Sequence, residues 1–312
     1  MQIEAQSASP GPLRLRAPEV LQAIGARAVR QAVPLAPERQ AELEGEAGRV
    51  LAALLAHEPE GGLAGCLDGA LLPGRVRADV GLVEAGRLQR KFGDLEALPV
   101  FRALQGLRAE LKARCMGGPA AARHWWDRLP WAARPLVETQ AGADAPQRLR
   151  DALATLDHAC ESVRTELAGL ELTRASLWDA MQQLAGAIHF AQVLDERLRI
   201  KVEVLRTSDA QRAGMLDADV LQPVRRDRQE MLAQQVLCTN CYFAIEVLKK
   251  TGQEVLAACA QIAALLQDGE GAQVQQALQA LDAMEAFRAE AASAMAQNAA
   301  MLGELSSGRV LH

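Results

Sequence analysis

One spacing governs what this chain can fold into. From Leu149 the apolar residues recur at alternating steps of four and three: Leu149, Leu153, Leu156, Cys160, Val163, Leu167, Leu170, Arg174, Leu177, Met181, Leu184, Ile188, Ala191, Asp195 and Leu198. Thirteen of these fifteen positions are apolar, so the stripe persists for about seven heptads, the pattern of a helix that lies along another helix. A helix over 147–206 would be about 90 Å long at ~1.5 Å per residue, too long for one compact globule. Arg174 and Asp195 interrupt the stripe, and polar residues in such a seam can fix register.

A second seam follows a break at 208–219. It runs Val220, Val224, Asp227, Met231, Gln234, Cys238, Cys241, Ile245, Leu248, Gly252, Val255, Cys259, Ile262 and Leu266. A third occupies 273–304 through Val274, Ala277, Leu281, Met284, Arg288, Ala291, Met295, Asn298 and Leu302. Alternating β-branched or aromatic runs are almost absent. The expectation is an all-α fold: an extended bundle of long antiparallel helices with coiled-coil-like packing, preceded by shorter helices.

Proline sets the domain division. Twelve of the thirteen prolines lie at or before Pro146, and only Pro223 comes later. Proline punctuates helices, so the chain changes character near 146. Residues 1–37 read as a flexible arm with a short helix over 19–33. Residues 38–146 read as a Pro/Gly-containing region of shorter helices (38–57, 78–91 and 95–114), and 147–312 as the long-helix bundle. The glycine-rich stretch 61–74 lacks the Gly-Lys-Ser/Thr ending of a phosphate loop and reads as small-residue packing or a turn.

Charge and the cysteines exclude several functions. The net charge of −5 argues against nucleic acid, which needs a concentrated positive field. The first residues lack the basic start and apolar run of a signal peptide, and no uninterrupted apolar stretch reaches ~20 residues, so a cytoplasmic protein is expected. Six scattered cysteines in a reducing compartment read as buried apolar side chains.

Three groups are candidate sites. Cys238 and Cys241 have the spacing of a redox couple or half a zinc site. Both fall on seam positions within a helical pattern, where no helix N-terminus lowers a thiol pKa, so buried core is the first reading. Trp125 and Trp126, with Trp131, form either an aromatic recognition surface or a packing knot. Arg225, Arg226 and Arg228, then Lys249 and Lys250, form a basic stretch that could meet an oxyanion or simply face water. No catalytic arrangement, metal or cofactor is expected.

Two segments carry a family likeness. The first is WWDRLPWAARPL (125–136) followed by DALATLDHACESVRTELAGLELTRASLWDAMQQL (151–184). The second is VRRDRQEMLAQQVLCTNCYFAIEVLKKTGQEVL (224–256), through Arg228, Glu230, Met231, Leu232 and Gln234, then Tyr242, Phe243 and Ala244. With these the chain, over about 85–304, resembles the toxic anion resistance (tellurite resistance, TelA-like) family. The resemblance implies resistance to oxyanions such as tellurite and tolerance of envelope-directed antimicrobials. It supplies no catalytic residues. The expected function is a non-enzymatic scaffold or adaptor that binds proteins or itself through helical surfaces. The rivals are a thiol-based oxyanion reductase using Cys238 and Cys241, and a peripheral membrane or filament-forming protein. Membrane contact is open but not expected.

Overall fold

A computed structural model describes residues 13–56, 79–94, 97–116, 145–267 and 271–307. Every regular element among these is helical. The short helices are α1 (Ala26–Ala32), α2 (Pro37–Ala56), α3 (79–93) and α4 (Pro99–Met116). The long ones are α5 (Ala145–Ser208), α7 (Gln222–Gln267) and α8 (Gly271–Ser306), with α6 (Ala210–Leu216) at the turn between the first two. The described residues are therefore all-α, with three long helices preceded by shorter ones.

The break after α5 is shorter than the sequence suggests. Only Asp209 leaves the helix. Its side chain caps α6 by accepting the Arg212 amide at 3.0 Å, which satisfies one of the orphan donors of a helix start. A π turn, Asp217–Leu221, then leads into α7. Pro223 explains it. A proline inside a helix has no N–H to donate, and its ring crowds the carbonyl four residues back. Widening the preceding turn accommodates that ring without ending the helix.

Contacts group the chain into two compact units, each assembled from both sides of residue 146. The first unit holds Met1–Glu19, Gly93–Gly169 and Val247–Met295, and the second holds Val20–Phe92, Leu170–Glu246 and Ala296–His312. In the first, α5 buries a narrow stripe (Leu156, Cys160, Val163) and α7 another (Val255, Cys259, Ile262, Leu266). Val100, Leu104, Leu107 and Leu111 of α4 and Leu281, Met284 and Phe287 of α8 complete this core. Arg108 of α4 is ion-paired to Asp282 of α8.

Gly252 belongs to the same unit and shows how closely α5 and α7 approach. A Cβ there would lie 2.8 Å from Leu167 Cδ2 and 3.3 Å from its Cγ. Alanine at an open helical glycine gains up to about 1 kcal/mol. Gly169→Ala, at a site with nothing within 4 Å, is expected to show that gain. Gly252→Ala should instead lose about 1 kcal/mol, because overpacking outweighs propensity. Chemical denaturation of the two variants measures the difference. A stabilised Gly252→Ala protein would mean that Leu167 yields freely.

In the second unit the burial on the long helices broadens. Along α5, Leu177, Ala180, Met181, Leu184, Ala185, Ile188, Ala191, Leu194 and Leu198 are all buried. On α7 the whole run 235–241 is buried, so that two turns have no solvent face. Helices α2 (Leu43, Ala47, Leu51, Leu54) and α3 (Ala85, Leu88, Phe92) contribute apolar stripes to this core. This is also why one helical stretch, 210–267, contains a segment apolar enough to cross a membrane. Of that segment, 67% is buried inside the protein.

The N-terminal segment departs from expectation. The helix is confined to Ala26–Ala32 rather than 19–33, and residues 13–25 run without helix. Gly25 precedes the helix in extended geometry. Ahead of it, Leu21 N–H donates to Asn298 Oδ1 at 2.8 Å and Ile24 N–H to Asn240 Oδ1 at 3.0 Å. Asn240 Nδ2 donates back to the Ile24 carbonyl at 3.1 Å. A side-chain amide thus supplies the donor–acceptor pair of a neighbouring strand. Residues 21–24 thus form a strap tied to two buried asparagines.

Candidate functional site

The second unit contains two polar levels where the α5 and α7 seams meet. At the first, Arg174 Nη1 donates to Glu246 Oε1 at 3.0 Å and to Tyr242 Oη at 3.4 Å. The Arg174 guanidinium also lies 5.7 Å from the Tyr242 ring centre, within the range of a cation–π contact. Trp178, four residues on, sits 5.9 Å from the same ring. At the second level, Asp195 accepts from Arg225 Nε at 2.8 Å and lies 3.4 Å from Arg228 Nη1. The Asp195 side chain is 12% exposed, so it is largely withdrawn from water beside two cations.

The spacing of these levels carries the meaning. From Arg174 to Asp195 is twenty-one residues along α5, and from Glu246 back to Arg225 is twenty-one along α7. Three heptads separate the levels on both helices, in opposite directions. A third contact, Thr239 Oγ1 to Met181 Sδ at 3.4 Å, falls one heptad inside the first. The two interruptions of the α5 seam are therefore matched charge for charge by the antiparallel partner. A shift of one heptad would leave Asp195 buried without a cation, and charges left unpaired in this way are costly.

Three buried polar side chains on α7 donate to their own helix. Thr239 donates to the Gln235 carbonyl at 2.8 Å, Asn240 to Val236 at 2.8 Å and Thr251 to Val247 at 2.8 Å.

The basic residues singled out from the sequence do not form one group. Arg225 and Arg228 converge on Asp195, while Arg226 is exposed. Lys249 and Lys250 belong to the other unit, the first half-buried and the second exposed. Trp125 and Trp126, with Trp131 and the stretch 61–74, lie outside the described residues.

Cys238 and Cys241 are both fully buried. They sit under α3, where Gly81 leaves room. A Cβ on Gly81 would stand 3.0 Å from Cys238 Sγ, and Cys241 Sγ lies 3.9 Å from the Gly81 carbonyl. Burial pushes the Cys238 thiol up to about 12 and raises Cys241 as well. The reactive species is the thiolate. Native Cys238 is therefore expected to alkylate with iodoacetamide at pH 8 about a thousandfold more slowly than in the unfolded chain. Residue-resolved mass spectrometry measures both rates. Comparable rates would mean that this part of the core opens readily.

Sequence reading noticed Arg174 and Asp195 but not their partners, and Asn240 was missed. Asn298 was visible only as one of two polar residues, with Arg288, in the third seam. Among the described residues, no group of three or more His, Cys, Asp or Glu side chains is placed to hold a metal.

The long-helix pair coincides with a recognised domain. The family model described as Toxic anion resistance protein (TelA) matches 143–265. Over residues 143–265 the chain is similar to the TelA family. No curated protein and no solved structure matches the chain. The TelA region takes in all of α5, the turn and nearly all of α7, and hence every polar level described above. It includes both the 151–184 and 224–256 segments that resembled the family. The tryptophan-bearing 125–136 lies outside it.

Proposed function

We propose that the chain is a non-enzymatic scaffold in a toxic-oxyanion resistance system, cytoplasmic and working through helical surfaces that bind other proteins or a second copy. The observation that carries this reading is the extent of the TelA match. It ends with the α5–α7 hairpin and contains the charged levels that hold that hairpin in register. The matched region is thus centred on the α5–α7 helix pair. Two further observations favour it over thiol reduction and over a free anion site. Cys238 and Cys241 are fully buried, and Arg225 and Arg228 are committed to Asp195.

The test is complementation. Cells lacking the gene are expected to lose tellurite resistance, and a Cys238→Ser/Cys241→Ser variant should restore it in full. Asp195→Arg alone should fail to restore it, and Asp195→Arg with Arg225→Asp should recover most of it. Unchanged resistance in the deletion strain would overturn the oxyanion assignment. Failure of the cysteine variant, when folded, would favour thiol chemistry.

A further inference from the structure

Four described cysteines are buried, and two of them face each other across helices rather than sharing one. Cys160 of α5 and Cys259 of α7 lie in the first unit, 5% and 2% exposed, and neither is in a disulfide. Both line a groove of about 400 Å³ with Leu153, Asp157, Arg164 and Leu256. They stand one heptad from the Leu167–Gly252 contact on each helix, so they occupy the next facing level of the same antiparallel seam. Gly252 one heptad away has no side chain, and Ala260, Ala263 and Ala264 line the groove, so small residues flank the two facing cysteines on α7.

We propose that Cys160 and Cys259 form a peroxide-reactive dithiol site that closes to a disulfide between α5 and α7. Cys160 is the attacking sulfur. Its hydrogen bond with Cys259 holds the Cys160 thiol below its ordinary value despite burial, with help from the Arg164 charge one turn away and against Asp157 and Glu161. The same hydrogen bond and burial raise Cys259. This contrasts with Cys238 and Cys241, which line no such groove among those described and whose thiols burial only raises.

The chemistry balances in two steps. The Cys160 thiolate attacks one peroxide oxygen. The S–O bond forms, the O–O bond breaks, and the leaving hydroxide takes up a proton to become water. The Cys259 thiol then attacks the Cys160 sulfenic sulfur. The S–S bond forms, the S–O bond breaks, and the departing hydroxide leaves as water with the Cys259 proton. Two thiols and one hydrogen peroxide give one disulfide and two waters. The sulfurs are oxidised by two electrons and the peroxide oxygens are reduced by two. The proposal does not depend on the oxyanion reading, since its oxidant is a peroxide and its residues are different.

The full chain is treated with stoichiometric hydrogen peroxide, alkylated and mapped by mass spectrometry. The expected product is a linked peptide pair containing Cys160 and Cys259, with a mass loss of about 2 Da for the two hydrogens. Cys160 should be consumed at least about tenfold faster than Cys238. Cys259→Ser should trap a dimedone-reactive sulfenic acid on Cys160, and Cys160→Ser should abolish the linked pair. Exposed Cys115 is the internal control for unpaired surface oxidation. Free, alkylatable Cys160 and Cys259 after peroxide treatment of the wild-type chain would overturn the proposal, as would pairing of either one with a different cysteine.

Discussion

Replacing Asp195 with arginine is expected to remove about 2–3 kcal/mol of stability. Breaking a fully buried ion pair costs roughly 3–5 kcal/mol, and the partial exposure of Arg225 and Arg228 lowers that figure through solvent screening. The variant loses both pairs and places a third cation beside two others. Among the described residues the buried Arg228 Nε has no hydrogen-bond partner, so this arginine already carries an unmet donor before Asp195 is removed. Denaturant titration measures the loss. The diagnostic step is the exchange Asp195→Arg with Arg225→Asp, expected to recover at least half of it by restoring an oppositely charged pair at the same level. If the exchange recovers nothing while each single change is costly, packing rather than charge register holds the two helices at this point.

Asn240→Ala should have a comparable effect by another route. It removes the acceptor for the Ile24 amide and the donor for the Ile24 carbonyl, and it leaves a void in a core where Asn240 is 2% exposed. Leaving buried polar groups unpaired costs about 1–3 kcal/mol each, so a total near 3 kcal/mol is expected. The local signature is sharper than the global one. Hydrogen exchange at residues 20–25 should accelerate well beyond the rest of the second unit, because the strap is tied down there by its bonds to Asn240 and Asn298. Asn298→Ala should loosen Leu21 alone and spare Ile24. Unchanged protection at Ile24 in Asn240→Ala would show that apolar contacts hold the strap.

The two predictions probe features of different legibility. The heptad interruptions at Arg174 and Asp195 could be read directly, since a charge in an apolar seam stands out. Their partners could not be assigned, because Glu246 and Arg225 look like ordinary surface charges until the antiparallel register is known. The strap was less legible still. Its sequence carries no regular apolar period, and the amide that holds it lies 216 residues away. The pair Cys238 and Cys241 attracted notice because the two are close in sequence, yet both are sealed beneath α3. The pair Cys160 and Cys259, 99 residues apart, was seen only as two seam positions.

By itself the sequence determined the helical class, the three long seams and the likeness to the TelA family. These follow from local rules: a period near 3.5 and the exclusion of proline from helix interiors. Tertiary structure alone decided which seam meets which, in what direction and at what level. It paired Asp195 with Arg225 and Arg228, closed α5 on α7 at Gly252, fastened residues 21 and 24 to two buried asparagines, and set Cys160 against Cys259. The reason is physical. A heptad stripe records how often a helix offers an apolar side chain but not which partner receives it, and many registers bury nearly the same apolar area. What separates them is a few polar and small residues, whose cost or benefit exists only once two distant segments are in contact.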